Sequence, residues 1–516
     1  MQSTTTRIIR GVLSGGGLTL TTALVNLVLV RLIIGYLPME IAGIWFLFLS
    51  IGAYIAYFDL GVSPTVSREI GFLLGSREAS QEEKDRGIAD IIATCLRMFE
   101  VLAASVLVMG LALGWSFISR VAEDAHHLEV GIAWVIFCIG ASLNILGGAA
   151  FAALYGIGDV ATERIIRSVM LMLGLVLSAA ALYAGLGIVG LSAAWVIQNI
   201  LARLVGWVVL FRNNPSLRAV KGRPAMAVFR KIAAPSIKWA AIGLGALLIL
   251  QTDNPIIAVL LGTSFIPPYE AAVKVVWALM LLSLHISTSS TPFISKAYAA
   301  GDMDDIRLIL SRSLRLALAI MLVISVYFAF FGQRVFELWL GEGNFIGYRV
   351  LWLLLLVLVL EAHHVIHATA VMATGHVIFL WAALLAGVMK IALSVYLVPR
   401  VGIYGAVLGT LVAQLLTNNW YAPYCSLRIF SISAGDYART VMWPLAVLLA
   451  LSAGASAAAG SIMGNMQGLP FVMATSAFVG LIGAACTYAL VLTPRERRGL
   501  MDRARNWGGV HGRKHL

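Results

Sequence analysis

Long apolar stretches, each about the length of a membrane helix, follow one another along the chain with short polar segments between them. A bilayer core takes roughly 20 mostly apolar residues in helical form. Fourteen stretches of that kind lie near residues 11–33, 40–60, 91–117, 130–154, 165–184, 188–211, 233–261, 269–295, 314–332, 347–371, 378–398, 402–426, 440–460 and 469–492. The pattern predicts an all-α polytopic membrane protein with about fourteen transmembrane helices. Arg7 and Arg10 resemble the start of a secretory signal, but Gly11–Ile33 is about twice as long as a signal core. It reads as an uncleaved first transmembrane helix.

Composition narrows the class. Of 516 residues, 60% are hydrophobic and 12% charged, about half the charged fraction of a soluble domain. Soluble enzymes, disordered tails and disulfide-stapled secreted domains are excluded. The net charge of +12, from 37 Lys+Arg against 25 Asp+Glu, would suit a nucleic-acid binder only if it covered a surface. Instead it marks topology. With the N-terminus in the cytoplasm, the inner loops hold Arg68, Arg77, Lys84 and Arg86, the cluster from Arg212 to Lys231, and the tail after Thr493. The outer loops hold only Arg120, Arg334 and Arg400. That asymmetry follows the positive-inside rule for an even number of spans with both termini cytoplasmic.

Several chemistries are missing. The longest loop, Gly61 to Asp90, leaves no room for a soluble catalytic domain. No GxxxxGK[ST] phosphate loop occurs, and Ser14-Gly15-Gly16-Gly17 lies inside a span, where it suits close helix packing. This argues against ATP hydrolysis. Cys95, Cys138, Cys425 and Cys486 are far apart, without metal-type spacing, and read as small buried hydrophobes.

The two halves share a faint repeat. Gly158-Asp159-Val160 precedes the fifth span and Gly187-Ile188-Val189-Gly190 opens the sixth; Gly375-His376-Val377 precedes the eleventh and Gly402-Ile403-Tyr404-Gly405 opens the twelfth. Polar residues follow in both cases, Gln198-Asn199 in one span and Gln414 with Asn418-Asn419 in the other. A displacement of six spans preserves orientation, so the repeat is parallel, as in many transporters. It divides the chain into an N-terminal lobe (1–211), a basic cytoplasmic linker (212–231) and a C-terminal lobe (232–428). Two further spans (429–492) and a basic cytoplasmic tail (493–516) complete it. Two pseudo-symmetric six-helix lobes would place a substrate path at their interface.

Charges at membrane depth cost about 2.5 kcal/mol or more, so each is a functional candidate. Span 7 carries Lys238 and then Gln251-Thr252-Asp253-Asn254-Pro255, where Pro255 should kink the helix and free backbone carbonyls. Asp253 there either binds Na⁺ or H⁺ or pairs with a cation such as Lys274 of span 8, and the two readings are compatible. The run of Ser and Thr from Ser283 to Thr291 either packs small side chains between helices or lines a hydrated cavity. In span 10, Glu361, His363, His364 and His367 cover one broad helix side. They fit a proton relay, since histidine titrates near neutrality, a hydrogen-bonded structural cluster, or a metal site. Arg31 ends span 1 above Asn26 and either snorkels to the interface or faces a cavity. Arg203 and Lys390 lie deeper, and Arg97 and Glu100 are spaced to neutralise each other. Arg31, Arg203, Lys238, Lys274 and Lys390 together exceed Asp253 and Glu361, an excess that would attract an anion such as a diphosphate.

The segment Arg31-Leu32-Ile33-Ile34-Gly35-Tyr36, with Ala42-Gly43-Ile44-Trp45, Asp59-Leu60-Gly61-Val62-Ser63 and Arg68, resembles the opening of bacterial polysaccharide flippases. These are the lipid-linked oligosaccharide exporters of the multidrug/oligosaccharidyl-lipid/polysaccharide (MOP) superfamily. The likeness continues at Asp253 with Gly262, at Tyr269-Glu270-Ala271-Ala272, at Ala373-Thr374-Gly375 and at Gly402 to Ala406. It implies two six-helix lobes around a cationic cavity and an undecaprenyl-diphosphate-linked oligosaccharide as substrate. Fourteen spans match the related peptidoglycan-precursor flippases, but their Ser-Arg start motif is absent. Asn26 stands where drug/cation antiporters of the superfamily often carry an acid in span 1.

The expectation is therefore a non-enzymatic flippase of the bacterial inner membrane, moving O-antigen or exopolysaccharide repeat units outward by alternating access. Arg31, Lys238, Lys274, Arg203 and Lys390 would bind the diphosphate. Asp253, Glu361, His363, His364 and His367 would couple an ion or proton, and Asn26, Gln251, Asn254, Gln198 and Gln414 would line the cavity. No cofactor or bound metal is expected beyond Na⁺ or H⁺ as coupling ion. Expected partners are the lipid-linked substrate, membrane lipids and the polysaccharide polymerase machinery, without nucleic acid. The rivals are a drug/cation antiporter and a membrane-embedded glycan polymerase or ligase, the latter disfavoured by short outer loops.

Overall fold

A computed structural model describes residues 4–498 apart from 58, 60, 79, 123–125, 377 and 495; the side chains of residues 4–13, 238, 239, 241 and 242 are not among those described. The chain is 89% helix with no strand among the described residues. In order the helices are α1 (Thr4–Tyr36), α2 (Met39–Tyr57), α3 (Val62–Gly75), α4 (Gln81–Met109), α5 (Trp115–Val121), α6 (His127–Leu146) and α7 (Gly148–Ile157). There follow α8 (Val160–Tyr183), α9 (Gly187–Asn213), α10 (Pro215–Ala219), α11 (Met226–Gln251), α12 (Asp253–Leu260), α13 (Ile266–Ala299) and α14 (Met303–Leu340). The last are α15 (Tyr348–Met372), α16 (Leu380–Val401), α17 (Tyr404–Leu416), α18 (Asn418–Ile429), α19 (Ala434–Tyr437), α20 (Trp443–Met463) and α21 (Gly468–Cys486).

Thirteen helical segments among the described residues are long and apolar enough to cross a membrane. The chain is a multi-pass membrane protein. The difference from the fourteen expected spans has a local cause. The twelfth stretch, 402–426, is split at Thr417 into α17 and α18, each too short to span alone. In the seventh stretch the helix breaks at Thr252, three residues ahead of Pro255, so that Asp253 opens α12. Pro255 thus sits in the first turn of a helix, where its missing N–H costs least. Elsewhere π-helical turns rather than breaks interrupt the spans. At Gly110–Gly114 the Gly110 carbonyl accepts both from the Trp115 N–H and from the Trp134 indole (3.0 Å).

The paired motifs of the repeat adopt matching backbones. Gly158 ends α7 with φ 95° and Gly375 follows α15 with φ 87°, while Gly187 and Gly402 open the next helix pair with φ 54° and 66°. All four occupy the left-handed region, which glycine enters without a Cβ penalty. Val377 of the second motif lies outside the described residues, as does the tail beyond residue 498.

The chain forms two compact units. The first comprises residues 1–275 and 380–413, and the second 276–379 and 414–516. In the first, α1 packs on α8, α8 on α9, α9 on α6 and α6 on α4, while α3 packs on α7 and α11 on α16. Trp134, Phe137 and Trp195 stack in series and Phe48 meets Trp134 edge-on, with centroids 4.5–5.8 Å apart. The basic linker is docked on α4: Arg223 N–H donates to Asp90 and Ala225 N–H to Thr94. Gly43 of α2 lies directly against the Thr263 backbone carbonyl, a contact no larger residue could make. In the second unit α14 packs on α15 and α20, α20 on α21, and α15 on α18.

Candidate functional site

In the first unit, the start of α12 delivers Asp253 to Lys390 of α16, with the ammonium 2.9 Å from the carboxylate and the lysine wholly buried. Lys390 also donates to the Ile249 carbonyl, one of those released where α11 ends. Tyr269 donates its hydroxyl to the other Asp253 oxygen at 2.6 Å. Lys274, the expected partner of Asp253, is instead held by Glu270 one helical turn away at 3.0 Å. Glu270 accepts from Asn254 (2.6 Å), whose amide also reaches Ser50 at 2.8 Å. A buried charge is tolerable only when paired and hydrogen-bonded, and both lysines meet that condition. The apparent excess of intramembrane cations therefore shrinks: Glu270 was missing from the tally.

A second group of charged side chains lies elsewhere in the same unit. A cavity of about 760 Å³ is lined by Arg68 of α3, Asn144 of α6, Phe151 of α7, Glu163 and Arg167 of α8, Arg203 of α9, and Asp59 ahead of α3. Asp59 accepts from the Ser63 N–H (3.1 Å) and so caps the start of α3. Arg167 pairs with Glu163, and Arg68 with the neighbouring Glu69 at 3.1 Å. Among the described residues Arg203 makes no ion pair within 4 Å, although the Asp59 and Glu163 carboxylates act on it at longer range. Its Nε and one terminal nitrogen both donate to Asn144 Oδ1, at 3.0 and 2.6 Å, and its guanidinium lies 4.7 Å from the Phe151 ring centroid. Arg167 lies the same distance from that ring. Two guanidinium groups thus share one aromatic platform with a single carboxylate paired to them, and each keeps N–H donors in hand.

In the second unit the span-10 cluster divides in two. His363 and His367, one turn apart on α15, both direct Nε2 to the Tyr437 hydroxyl of α19, at 2.5 and 3.1 Å, and their rings are 4.7 Å apart. Glu361 and His364 turn to the break between α17 and α18. Glu361 accepts from the Gln414 amide (3.1 Å), and His364 Nδ1 meets the Asn418 carbonyl (3.0 Å). A carbonyl can only accept, so His364 carries its proton on Nδ1 there. No group of three or more His, Cys, Asp or Glu side chains among the described residues could hold a metal ion.

The remaining candidates are scattered. Arg31 is exposed on α1, Asn26 and Gln251 are half-buried, and Gln198 packs its amide against Gly174 of α8. The Lys238 side chain lies outside the described residues. Arg97 and Glu100 pair at 2.5 Å, as their spacing predicts. Sequence reasoning missed Asn144, Glu163, Arg167, Glu270 and Tyr437 as site residues. The i,i+4 spacings of Glu163 with Arg167 and of Glu270 with Lys274 carried a signal; nothing local marks Tyr437.

No protein-family model and no curated protein matches the chain. Solved structures do. An inward-facing MATE-family multidrug resistance transporter of the MOP superfamily superposes with TM-score 0.67 and 16% identity, over 80% of this chain and 96% of that one. The lipid II flippase MurJ in an inward closed conformation gives TM-score 0.67 and 12% identity, over 94% and 100% of the respective chains. A MOP-superfamily transporter from Pyrococcus furiosus gives 0.57 and 16%, over 83% and 96%. The helical bundle of this chain is thus the fold of MOP-superfamily transporters.

Proposed function

We propose that the protein is a flippase that carries an undecaprenyl-diphosphate-linked oligosaccharide from the inner to the outer leaflet of the bacterial inner membrane by alternating access. The observation that carries this reading is the arginine-bearing cavity of the first unit. Arg203, which makes no ion pair within 4 Å among the described residues and is fixed by Asn144 and Phe151, offers planar N–H donors suited to a phosphate group. By the positive-inside orientation, with both termini cytoplasmic, the residues around this cavity belong to the cytoplasmic half of their spans. That is where a lipid-linked precursor would be captured. The fold shared with a lipid II flippase over 94% of this chain supports the same class of cargo. The likeness to a multidrug transporter supports a drug/cation antiporter as the second reading, favoured by the neutralised lysines at Asp253 and Glu270.

Deleting the gene and assigning the accumulated lipid-linked intermediates to a leaflet tests the proposal. Accumulation on the cytoplasmic leaflet, reversed by the wild-type gene and not by Arg203→Ala, is the expected result. Accumulation on the periplasmic leaflet would point to a polymerase or ligase. An unchanged lipid pool with altered resistance to cationic drugs would point to the antiporter.

A further inference from the structure

We infer that the basic segment 212–231, from the end of α9 to the first turns of α11, is a docking surface for anionic phospholipid headgroups of the phosphatidylglycerol class. Arg212, Arg218, Lys221, Arg223, Arg230 and Lys231 fall within it, and it contains no acidic residue. All six side chains are exposed, and none makes an ion pair or a hydrogen bond among the described residues. Basic side chains elsewhere in the same unit do find acids: Arg68 pairs with Glu69, Arg86 with Glu82, Arg97 with Glu100 and Arg167 with Glu163. A cluster of cations beside a membrane helix attracts anionic lipid, each one raising affinity about fivefold.

The flanking helices set these cations at headgroup depth. On α9, Ile197, Leu204 and Val208 form an exposed apolar face, and Arg212 ends it one turn beyond Val208. On α11, Met226, Phe229, Ile237 and Leu244 form another, and Arg230 lies on the same side near its start. In a multi-pass protein such a face borders acyl chains, so an arginine at its end meets the phosphates. The chain between the two helices is pinned. The Asn213 amide donates to Asp159 (3.2 Å), Leu217 is buried in the core, the Arg223 N–H donates to Asp90 (2.7 Å) and the Ala225 N–H to Thr94 (3.1 Å). Gly222 lies so close to the Ala89 carbonyl that a Cβ would not fit. Arg218, Lys221 and Arg223 are thus presented on a fixed backbone, and little chain order is lost when a ligand binds. A topology signal needs only the charges; it needs neither this pinning nor their separation from acids. Continuity with two lipid-facing helix sides favours a lipid over a soluble polyanion. The inference rests on the chain crossing a membrane and not on what it carries.

The test uses the purified full-length chain in neutral detergent micelles, titrated with dioleoylphosphatidylglycerol or dioleoylphosphatidylcholine while thermal unfolding is followed. Phosphatidylglycerol should raise the melting temperature above that reached with phosphatidylcholine, and the difference should shrink as NaCl rises from about 0.05 to about 0.5 M. The triple variant Arg218→Gln, Lys221→Gln, Arg223→Gln leaves Arg212, Arg230 and Lys231 to hold the topology. Its apparent affinity for phosphatidylglycerol should fall about tenfold or more, with an unchanged transition in phosphatidylcholine. Arg218→Lys with Arg223→Lys keeps the charges and should bind as wild type does. Arg77→Gln, Arg120→Gln and Arg439→Gln together remove the same charge from exposed sites elsewhere and should leave the affinity unchanged. Equal shifts with the two lipids overturn the surface, as does an undiminished phosphatidylglycerol effect in the first triple variant or an equal loss in the second. Inorganic phosphate or glycerol 3-phosphate that reproduces the shift in phosphatidylcholine at equal ionic strength would assign these residues to a soluble anion and overturn lipid docking.

Discussion

The Lys390 ammonium lies 2.9 Å from the Asp253 carboxylate, with no part of the lysine exposed. Tyr269 and the Ile249 carbonyl complete the pair from either side. Removing one member of a buried pair costs about 3–5 kcal/mol, because the other is left charged and unsolvated. Asp253→Asn should therefore destabilise the protein by that order. Asp253→Leu combined with Lys390→Met, which removes both charges, should recover most of the loss. Unfolding midpoints of the single and double variants close the cycle; an Asp253→Asn protein as stable as wild type would show that the pair does not form.

Arg203 poses a different question, since it is held by a neutral partner and an aromatic ring. Arg203→Lys keeps the charge but loses the fork that grips Asn144 and the plane that stacks on Phe151. If the guanidinium recognises phosphate, both Arg203→Ala and Arg203→Lys should lower export of lipid-linked sugars by about tenfold or more, the effect of one charge-assisted hydrogen bond. Export is measured against protein abundance in the membrane. Full export with either variant removes Arg203 from substrate binding. Asn144→Leu should give an intermediate loss, because it frees the side chain without removing it.

Spans are legible because a bilayer imposes a length and a composition, and thirteen of the stretches meet both. The broken twelfth escaped because its two halves, 404–416 and 418–429, add up to a span's worth of apolar residues. Hydropathy sums residues and is blind to one interrupted turn. Charge pairing was legible in part. Depth alone pointed to Lys274 as the partner for Asp253, whereas the i,i+4 spacing of Glu270 with Lys274 already favoured the pairing observed. The union of His363 and His367 with Tyr437 depends on how α19 folds back on α15, and no local spacing encodes it.

The Ala42-Gly43-Ile44-Trp45 motif now has a packing reason. A Cβ on Gly43 would run into the Thr263 carbonyl, which is backbone and cannot swing aside. Gly43→Ala should cost about 1–3 kcal/mol, the usual toll of overpacking. Gly16→Ala in α1 supplies the contrast, because its added methyl meets nothing within 4 Å. That change should be neutral or stabilising by about 0.5–1 kcal/mol, as alanine replaces glycine inside a helix. Comparing the two melting transitions in one detergent separates close packing from helix propensity; equal effects would contradict the assignment.

Tyr437 offers one hydroxyl to two imidazoles. It can donate to only one Nε2, so the other histidine must carry its proton on Nε2 and donate back to the oxygen. At least one of the two imidazoles therefore donates to the Tyr437 oxygen, while His367 Nδ1 is buried with no partner among the described residues. Tyr437→Phe leaves both Nε2 atoms unpaired at once and should cost about 1–3 kcal/mol for each buried polar group orphaned. His367→Leu made together with Tyr437→Phe removes one orphan and should return part of that loss. Transport distinguishes a relay from a structural clasp. If protons pass along the chain, Tyr437→Phe should abolish the dependence of transport on a proton gradient even in protein that remains folded at the assay temperature. Unaltered gradient dependence in the folded variant assigns the cluster to holding α19 against α15.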